Sequence, residues 1–315
     1  MTAAASRPDP TGRQFVLRSP EGRVGAQVAQ LGASLRALRV DDTDLVTPYP
    51  AGAATPAASG IVLVPWPNRV RDGIWTQRGE TRRLAISEPA LGNAAHGLLR
   101  FAPYSADSTA ESAGDTVTLR ATVFPQTGYP FQLDTAVTYA LRADGIHITH
   151  RIENIGKDDA PVALGTHPYL MIGGVDTATL TLRSSGATRF VVDARKLPTD
   201  EVPVDADTDL RAGRVVGELD LDTAYGALAR DDDGRVRHSL TAPDGRRVTL
   251  WQGPGFEYAQ IFTTDRYPGH PVAVAVEPMT APADALNSGR GLRWLEPGEN
   301  WTLEWGIVFG APVLH

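Results

Sequence analysis

Thr116-Val117-Thr118-Leu119-Arg120-Ala121-Thr122-Val123-Phe124 is followed by Phe131-Gln132-Leu133-Asp134-Thr135-Ala136-Val137-Thr138-Tyr139-Ala140-Leu141, and then by Gly145-Ile146-His147-Ile148-Thr149-His150-Arg151-Ile152-Glu153-Asn154. In all three, large apolar residues recur at every second position: Val117, Leu119 and Val123; Phe131, Leu133, Val137 and Tyr139; Ile146, Ile148 and Ile152. A period of two is the mark of a strand with one buried face. The segment between the first two, Pro125-Gln126-Thr127-Gly128-Tyr129-Pro130, has the composition of a tight connection. Consecutive strands with such short links pair antiparallel. His147 and His150 fall on opposite faces and are rejected as a metal pair.

The same rhythm extends both ways. Residues 14–45 alternate short apolar runs with Gly and Asp, residues 180–192 continue the pattern, and Arg246 to Gln252, Tyr258 to Thr264 and Trp301 to Phe309 read as further strands. There is no long amphipathic helix, fixed-period repeat or low-complexity tract, and helical character is confined to one turn at Ala283 to Leu286. Many short strands separated by turn signals predict an all-β chain folded as a large antiparallel β-sandwich. No linker divides the 315 residues, so residues 14–315 are expected to form a single domain after a frayed start over residues 1–13.

Composition bounds the function. A net charge of -7, with pI near 5.5, argues against nucleic acid and anionic membrane surfaces as partners. The absence of cysteine rules out disulfides, thiolate catalysis and cysteine-ligated metal, and suits a reducing compartment. Residues 1–12 lack a charged leader with an apolar core, and no run approaches membrane-spanning length, so a cytoplasmic protein is expected.

Two stretches share a design. Val162-Ala163-Leu164-Gly165-Thr166-His167-Pro168 and Val272-Ala273-Val274-Ala275-Val276-Glu277-Pro278 are each an apolar run ending in an ionisable residue and a proline. On a strand, His167 shares its face with Gly165 and Ala163, and Glu277 with Ala275 and Ala273. The small residues are expected to leave room for a ligand, and the prolines to end regular pairing at the sheet rim. The shared pattern points to a general acid and a general base on one open sheet face.

Other candidates lie in loops. Ile61-Val62-Leu63-Val64-Pro65-Trp66-Pro67-Asn68-Arg69-Val70 places Asn68 and Arg69 on a rigid loop, and the Arg69 guanidinium suits vicinal hydroxyls or a carboxylate. Asn93-Ala94-Ala95-His96-Gly97-Leu98-Leu99-Arg100 sets His96 beside a glycine, where backbone approaches a ligand closely. Asp222 faces either solvent or a cleft, and Trp251 offers either core packing or a surface for sugars. The acids of residues 204–209 fail the calcium-loop pattern, whose glycine and terminal glutamate positions fall on Leu210 and Val216. Walker, dinucleotide, Gly-x-Ser-x-Gly and His-Glu-x-x-His motifs are absent. The remaining set suits a neutral ligand rich in hydroxyls.

In order along the chain, Asn68 to Gly73, His96-Gly97, Gly128-Tyr129-Pro130 with Asn154, Thr166-His167-Pro168-Tyr169, Leu221-Asp222-Thr223-Ala224-Tyr225, and Glu277-Pro278 running to Asp284-Ala285 and Asn287 resemble the aldose 1-epimerase family, the galactose mutarotase-like proteins. The resemblance implies interconversion of the α and β anomers of a free hexose, without metal or organic cofactor, by a monomer or homodimer. It implies His167 as general acid, Glu277 as general base, and Asn68, Arg69, His96 and Asp222 as sugar-binding residues. An ionised Glu277 is expected to raise the His167 pKa modestly above the usual 6.5 or so. Leu98, where many relatives carry a second glycine, and Met279 to Pro282, in place of a run containing Gln and Phe, leave the particular sugar open. The alternatives are a hexose-6-phosphate 1-epimerase, with Arg82 and Arg83 as phosphate candidates, and a non-catalytic carbohydrate-binding protein. Only one well-placed carboxylate besides Asp222 argues against a glycosidase.

Overall fold

The computed structural model describes residues 8–106 and 114–310. The opening strands form the middle of a nine-stranded antiparallel sheet, in the order Ser105–Ala106, Thr116–Val123, Leu133–Arg142, Gly145–Asn154, Asn300–Gly310, Arg247–Gln252, Val236–Thr241, Thr181–Arg183 and Arg214–Val215. The register sets Val137 opposite both Leu119 and His150, and Tyr139 opposite Ile148, so the predicted apolar faces coincide. A second antiparallel sheet runs Pro198–Pro203, Gly186–Val192, Asp222–Leu228, Tyr258–Thr264, Ala273–Met279, Gly165–Thr166 and Val62–Leu63, with Tyr169–Leu170 also paired to Ala273–Met279. A smaller sheet of Gln14–Arg18, Val24–Ala29, Leu35–Val40 and Thr43–Asp44 completes the large antiparallel β-sandwich. One apolar cluster, from Phe15 to Ile307, fills the space between sheets and includes Leu38, Val137, Ile148, Leu250, Val276 and Leu303. The α-helix among the described residues is a single turn, Ala285–Ser288, two residues beyond its expected place.

Part of the start expected to be frayed, residues 1–7, lies outside the described residues. In the remainder, the Asp9 carboxylate accepts hydrogen bonds from Thr11 and Gly52 backbone N–H groups and pairs with the buried Arg36 at 3.2 Å. Trp251 is buried, with the Arg235 guanidinium 4.0 Å above its ring and His147 edge-on. Asp205 accepts from Asp207 and Thr208 backbone N–H groups and pairs with Arg189, so the acids of residues 204–209 organise a turn.

The two proline-terminated stretches are neighbours in the second sheet. Ala273–Met279 continues through Pro278, which stands opposite Ala259, so the expectation that proline ends the pairing is corrected. On the other side Gly165 stands opposite Met279 and Tyr169 opposite Ala275. The same register carried through the interval sets His167 directly opposite Glu277. The Val276 N–H donates to the Pro168 carbonyl and the Thr280 N–H to the Leu164 carbonyl, so donors at even positions face this partner. Pro278 would be the next such donor, and its missing N–H falls where the ladder opens.

Candidate active site

The register lays out one sheet face as a grid. His167, Glu277, Gln260 and Ala224 form one row across four strands, and Tyr169, Ala275, Phe262 and Asp222 form the next. Val274 and Val276 point the other way, into the main core. Ala273 and Ala275 are covered by Tyr49, Tyr169 and Tyr267. The small residues therefore make room for a tyrosine cluster, and the space for a ligand lies beside it. This corrects the expectation that the alanines floor an empty site.

That space is a cavity of about 340 Å³, at the small end for ligand pockets. It is lined by His167, Glu277, Asp222, Asn68, Arg69 and His96, and so gathers every site residue expected from sequence. Directly opposed side chains approach most closely at a pair that shares no ladder hydrogen bonds. Accordingly, His167 Nε2 lies 3.3 Å from Glu277 Oε1, with both side chains buried. Tyr169 stacks on the imidazole, ring centroids 5.3 Å apart at 29°, and its hydroxyl donates to the Ala57 carbonyl. The His167 backbone is pinned by Ile61 O and Gly60 N.

Arg69 opens a two-residue strand, Arg69–Val70, paired with Ala94–Ala95, where a loop was expected. The His96 N–H donates to the Asn68 carbonyl and fixes the two short segments together. His96 then meets His167 edge-on at 5.8 Å. Gly97, at φ +73°, sits so close to Val64 that a Cβ would lie 2.2 Å from its carbonyl oxygen.

Around the cavity runs a continuous polar belt. Glu88 receives two hydrogen bonds from Arg69, at 2.9 and 3.0 Å, and Arg69 Nη1 donates to Asn68 Oδ1. Asn68 Nδ2 donates to Gln260 Oε1, Gln260 Nε2 donates to Asp222 Oδ1 at 2.7 Å, and Asp222 Oδ2 pairs with Lys196 at 3.3 Å. A guanidinium only donates and a carboxylate only accepts, so both amides are forced into one orientation. Turning either would set N–H against N–H.

Burial dominates the proton affinities. It pulls the His167 imidazole down to about 4, opposed by the Asp222 charge and assisted by Arg100 and Arg69. Burial and then Asp222 push the Glu277 carboxyl well above the carboxylate range, against Arg69. His96 is held well below the usual imidazole value by burial, then by His167, Arg100 and Arg69. The expected upward shift of His167 is therefore reversed, and the imidazole and the carboxyl are displaced in opposite directions.

Sequence reasoning missed Glu88, Arg100, Lys196 and Gln260. Gln260 carried a signal, as a lone amide inside an apolar strand. Its meaning depends on register with Glu277, which the sequence does not display. Arg82 is bound to Gln77 and Glu80 in the hairpin Ile74–Gln77 with Glu80–Arg83, and neither Arg82 nor Arg83 lines the cavity. Among the described residues no group of three or more His, Asp and Glu is arranged to hold a metal ion, and no helix is long and apolar enough to cross a membrane.

An antiparallel sandwich with these sheets is the architecture of the galactose mutarotase-like proteins. The GalM/aldose epimerase homologue of C. elegans superposes with a TM-score of 0.80 at 18% identity, over 95% of this chain and 99% of its own. Galactose 1-epimerase from Lactobacillus acidophilus NCFM superposes with a TM-score of 0.75 at 17% identity, over 92% of each chain. YihR, an uncharacterised protein of Escherichia coli K12, is 30% identical over 292 residues, 91% of this chain and 90% of that one. The aldose 1-epimerase family model matches residues 13–307, and the chain belongs to that family. With membership comes the general activity, epimerisation of sugars by an isomerase.

Proposed function

We propose that the protein is an aldose 1-epimerase that interconverts the anomers of a hexose with a free anomeric hydroxyl, and that His167 and Glu277 carry the proton transfers. The observation that supports this most directly is the 3.3 Å contact between His167 Nε2 and Glu277 Oε1 at the base of a monosaccharide-sized polar cavity. The Glu277 carboxylate takes the proton from O1–H while His167 Nε2–H donates to the ring oxygen O5. The C1–O5 bond breaks and C1=O1 forms. Rotation about C1–C2 presents the other face of the aldehyde. O5 then attacks C1, its proton returns to His167, and Glu277 returns its proton to O1.

Arg69, Asn68, His96 and Asp222 bind sugar hydroxyls in this reading, and the belt holds them in register before the sugar arrives. Phe262 offers an apolar surface to a sugar ring. No step calls on a metal or organic cofactor, and the absence of cysteine agrees with a cytoplasmic enzyme. Fresh α-glucose and α-galactose are followed by polarimetry with wild type, His167→Ala and Glu277→Ala. Each variant should lose most of the acceleration. Wild-type rates no better than buffer, with sugar binding retained, would instead favour a carbohydrate-binding protein.

A further inference from the structure

The hairpin of Gly186–Val192 and Pro198–Pro203 forms one edge of the second sheet, and its tip, residues 193–197, is tied down from outside the sheet. Within the tip, the Asp193 carboxylate accepts from the Arg195 and Leu197 backbone N–H groups, and Lys196 stands at φ +60°. Arg195 reaches across to the loop of residues 88–93. Its Nε donates to the Leu91 carbonyl at 2.8 Å, and its Nη2 donates to the Gly92 carbonyl at 2.9 Å and to Asn93 Oδ1 at 3.1 Å. The same Nη2 lies 2.8 Å from Asp72 Oδ1. Asn93 is wholly buried, and its Nδ2 returns a hydrogen bond to the Arg195 carbonyl at 3.1 Å.

These contacts close the polar belt into a ring. Glu88, the partner of Arg69, exchanges backbone hydrogen bonds with Asn93. Asn93 is clasped by Arg195, one peptide bond leads on to Lys196, and Lys196 pairs with Asp222, where the belt resumes. Relative strength says which contact places which. The Lys196 and Asp222 side chains are 42% and 23% exposed, and an ion pair of that kind is worth little by itself. Arg195 makes three charge-assisted hydrogen bonds, two of them to backbone carbonyls, each about twice as strong as a neutral one. The guanidinium therefore fixes the tip, and the tip carries the ammonium to Asp222.

We propose that Arg195 is a positioning residue for the sugar site: by clamping the hairpin tip to residues 91–93 it holds Lys196 against Asp222 Oδ2, so that the carboxylate is oriented before a sugar hydroxyl reaches it. The proposal rests on the aldose 1-epimerase reading and adds to it a residue that does not line the cavity. Gln260 holds the other oxygen, Oδ1, at 2.7 Å, so Asp222 is fixed from both sides. A group ordered in advance loses less freedom when the ligand binds. Without Arg195 the tip is a short exposed turn at a sheet edge, the kind of segment that opens locally, and Lys196 leaves Asp222 with it.

The chain has two lysines, Lys157 and Lys196, so the tip can be followed without turnover. Reductive dimethylation read by mass spectrometry takes the exposed Lys157 as internal standard. In wild type Lys196 should react about two- to fivefold more slowly than Lys157, the range one partly exposed ion pair allows, and in Arg195→Ala the two should react alike. By polarimetry, Arg195→Ala should raise KM about three- to tenfold and lower kcat by less, the pattern of lost binding. Arg195→Lys keeps the charge without the fork that reaches Leu91, Gly92 and Asn93, and should resemble Arg195→Ala. Lys196→Met should raise KM likewise, and adding Arg195→Ala to it should raise KM no further. Lys196 labelled alike in wild type and Arg195→Ala, an unchanged KM in Arg195→Ala, or KM effects that multiply in the double variant overturn the proposal. If circular dichroism shows Arg195→Ala unfolded, Arg195→Gln takes its place in every arm. Release of Lys196 in Arg195→Ala, with no aldose accelerated by wild type, would refute the epimerase reading and leave the clamp standing. Acceleration of aldoses with Lys196 labelled alike in both proteins would do the reverse.

Discussion

Glu277→Gln should stabilise the fold at neutral pH while removing most of its activity. Glutamine keeps the shape of the side chain and its hydrogen-bonding reach to His167, and removes only the titration. Glu277 is buried, and burial, then the Asp222 charge, raise its folded-state pKa well above the ordinary 4.5. The folded chain therefore holds this proton more tightly than the unfolded chain does. The resulting stability is fully present below about pH 4.5 and is lost as pH rises through the folded value, at about 1.4 kcal/mol per pH unit. The variant has no such loss, so its advantage over wild type should grow at that slope from about pH 4.5 and level off at the folded pKa. The depressed His167 titrates in both proteins, and its contribution cancels in the difference to first order. Urea unfolding at a series of pH values measures the gap, and polarimetry on the same samples should show a rate lower by about 10²- to 10⁴-fold, the usual worth of a positioned acid or base. A gap that is flat with pH, or a variant less stable than wild type near pH 8, would mean that Glu277 is ionised in the folded protein. Retention of more than about a tenth of the rate would remove it from the chemistry.

Three further outcomes follow from the same geometry. In kcat/KM, the acid limb should lie near pH 4, where His167 gains a second proton for the pair, well below the usual imidazole value, and the alkaline limb above the ordinary carboxylate range; an acid limb near 6.5 would show an imidazole open to solvent. Gln260→Leu interrupts the belt and leaves Asn68 and Asp222 each one partner short, so stability should fall by about 1–3 kcal/mol in urea unfolding, with KM raised more than kcat is lowered; unchanged KM would make the belt irrelevant to binding. Gly97→Ala forces a Cβ against the Val64 carbonyl at positive φ, and should cost more than about 1 kcal/mol with loss of sugar affinity through displaced His96, while a fully stable variant would contradict the close approach.

The strands were legible because their alternation is local: Gly145–Asn154 is read from its own ten residues, and the sheet reproduces it. His167 and Glu277 were legible as two copies of one pattern. That they face one another was not, because their pairing depends on a register between segments 110 residues apart in the chain. The same limit hid Gln260, which acquires its role from Asn68 on one side and Asp222 on the other. The direction of the His167 shift is not legible in the sequence for a related reason: the depth of burial that pulls the imidazole down, and pushes the Glu277 carboxyl up, is a property of the assembled sheet.

A neutral imidazole beside a protonated carboxyl does not conflict with acid and base roles. The neutral pair and the ion pair hold the same number of protons and differ by one transfer across 3.3 Å. In the proposed ring opening the ion pair would become the neutral pair, since His167 would give up its proton and Glu277 acquire one. Burial, which disfavours separated charges, therefore lowers the energy of the neutral pair, which accompanies the open aldehyde, relative to the ion pair, which accompanies the closed ring. Before opening, the proton must pass to His167. Asp222 assists, being the charge that raises the imidazole's proton affinity, and the sugar ring oxygen is the acceptor for that proton. The two prolines make this contact available by leaving out ladder donors on both strands beside it. His167 and Glu277 thus face one another where the sheet has fewer hydrogen bonds to lose to a sugar.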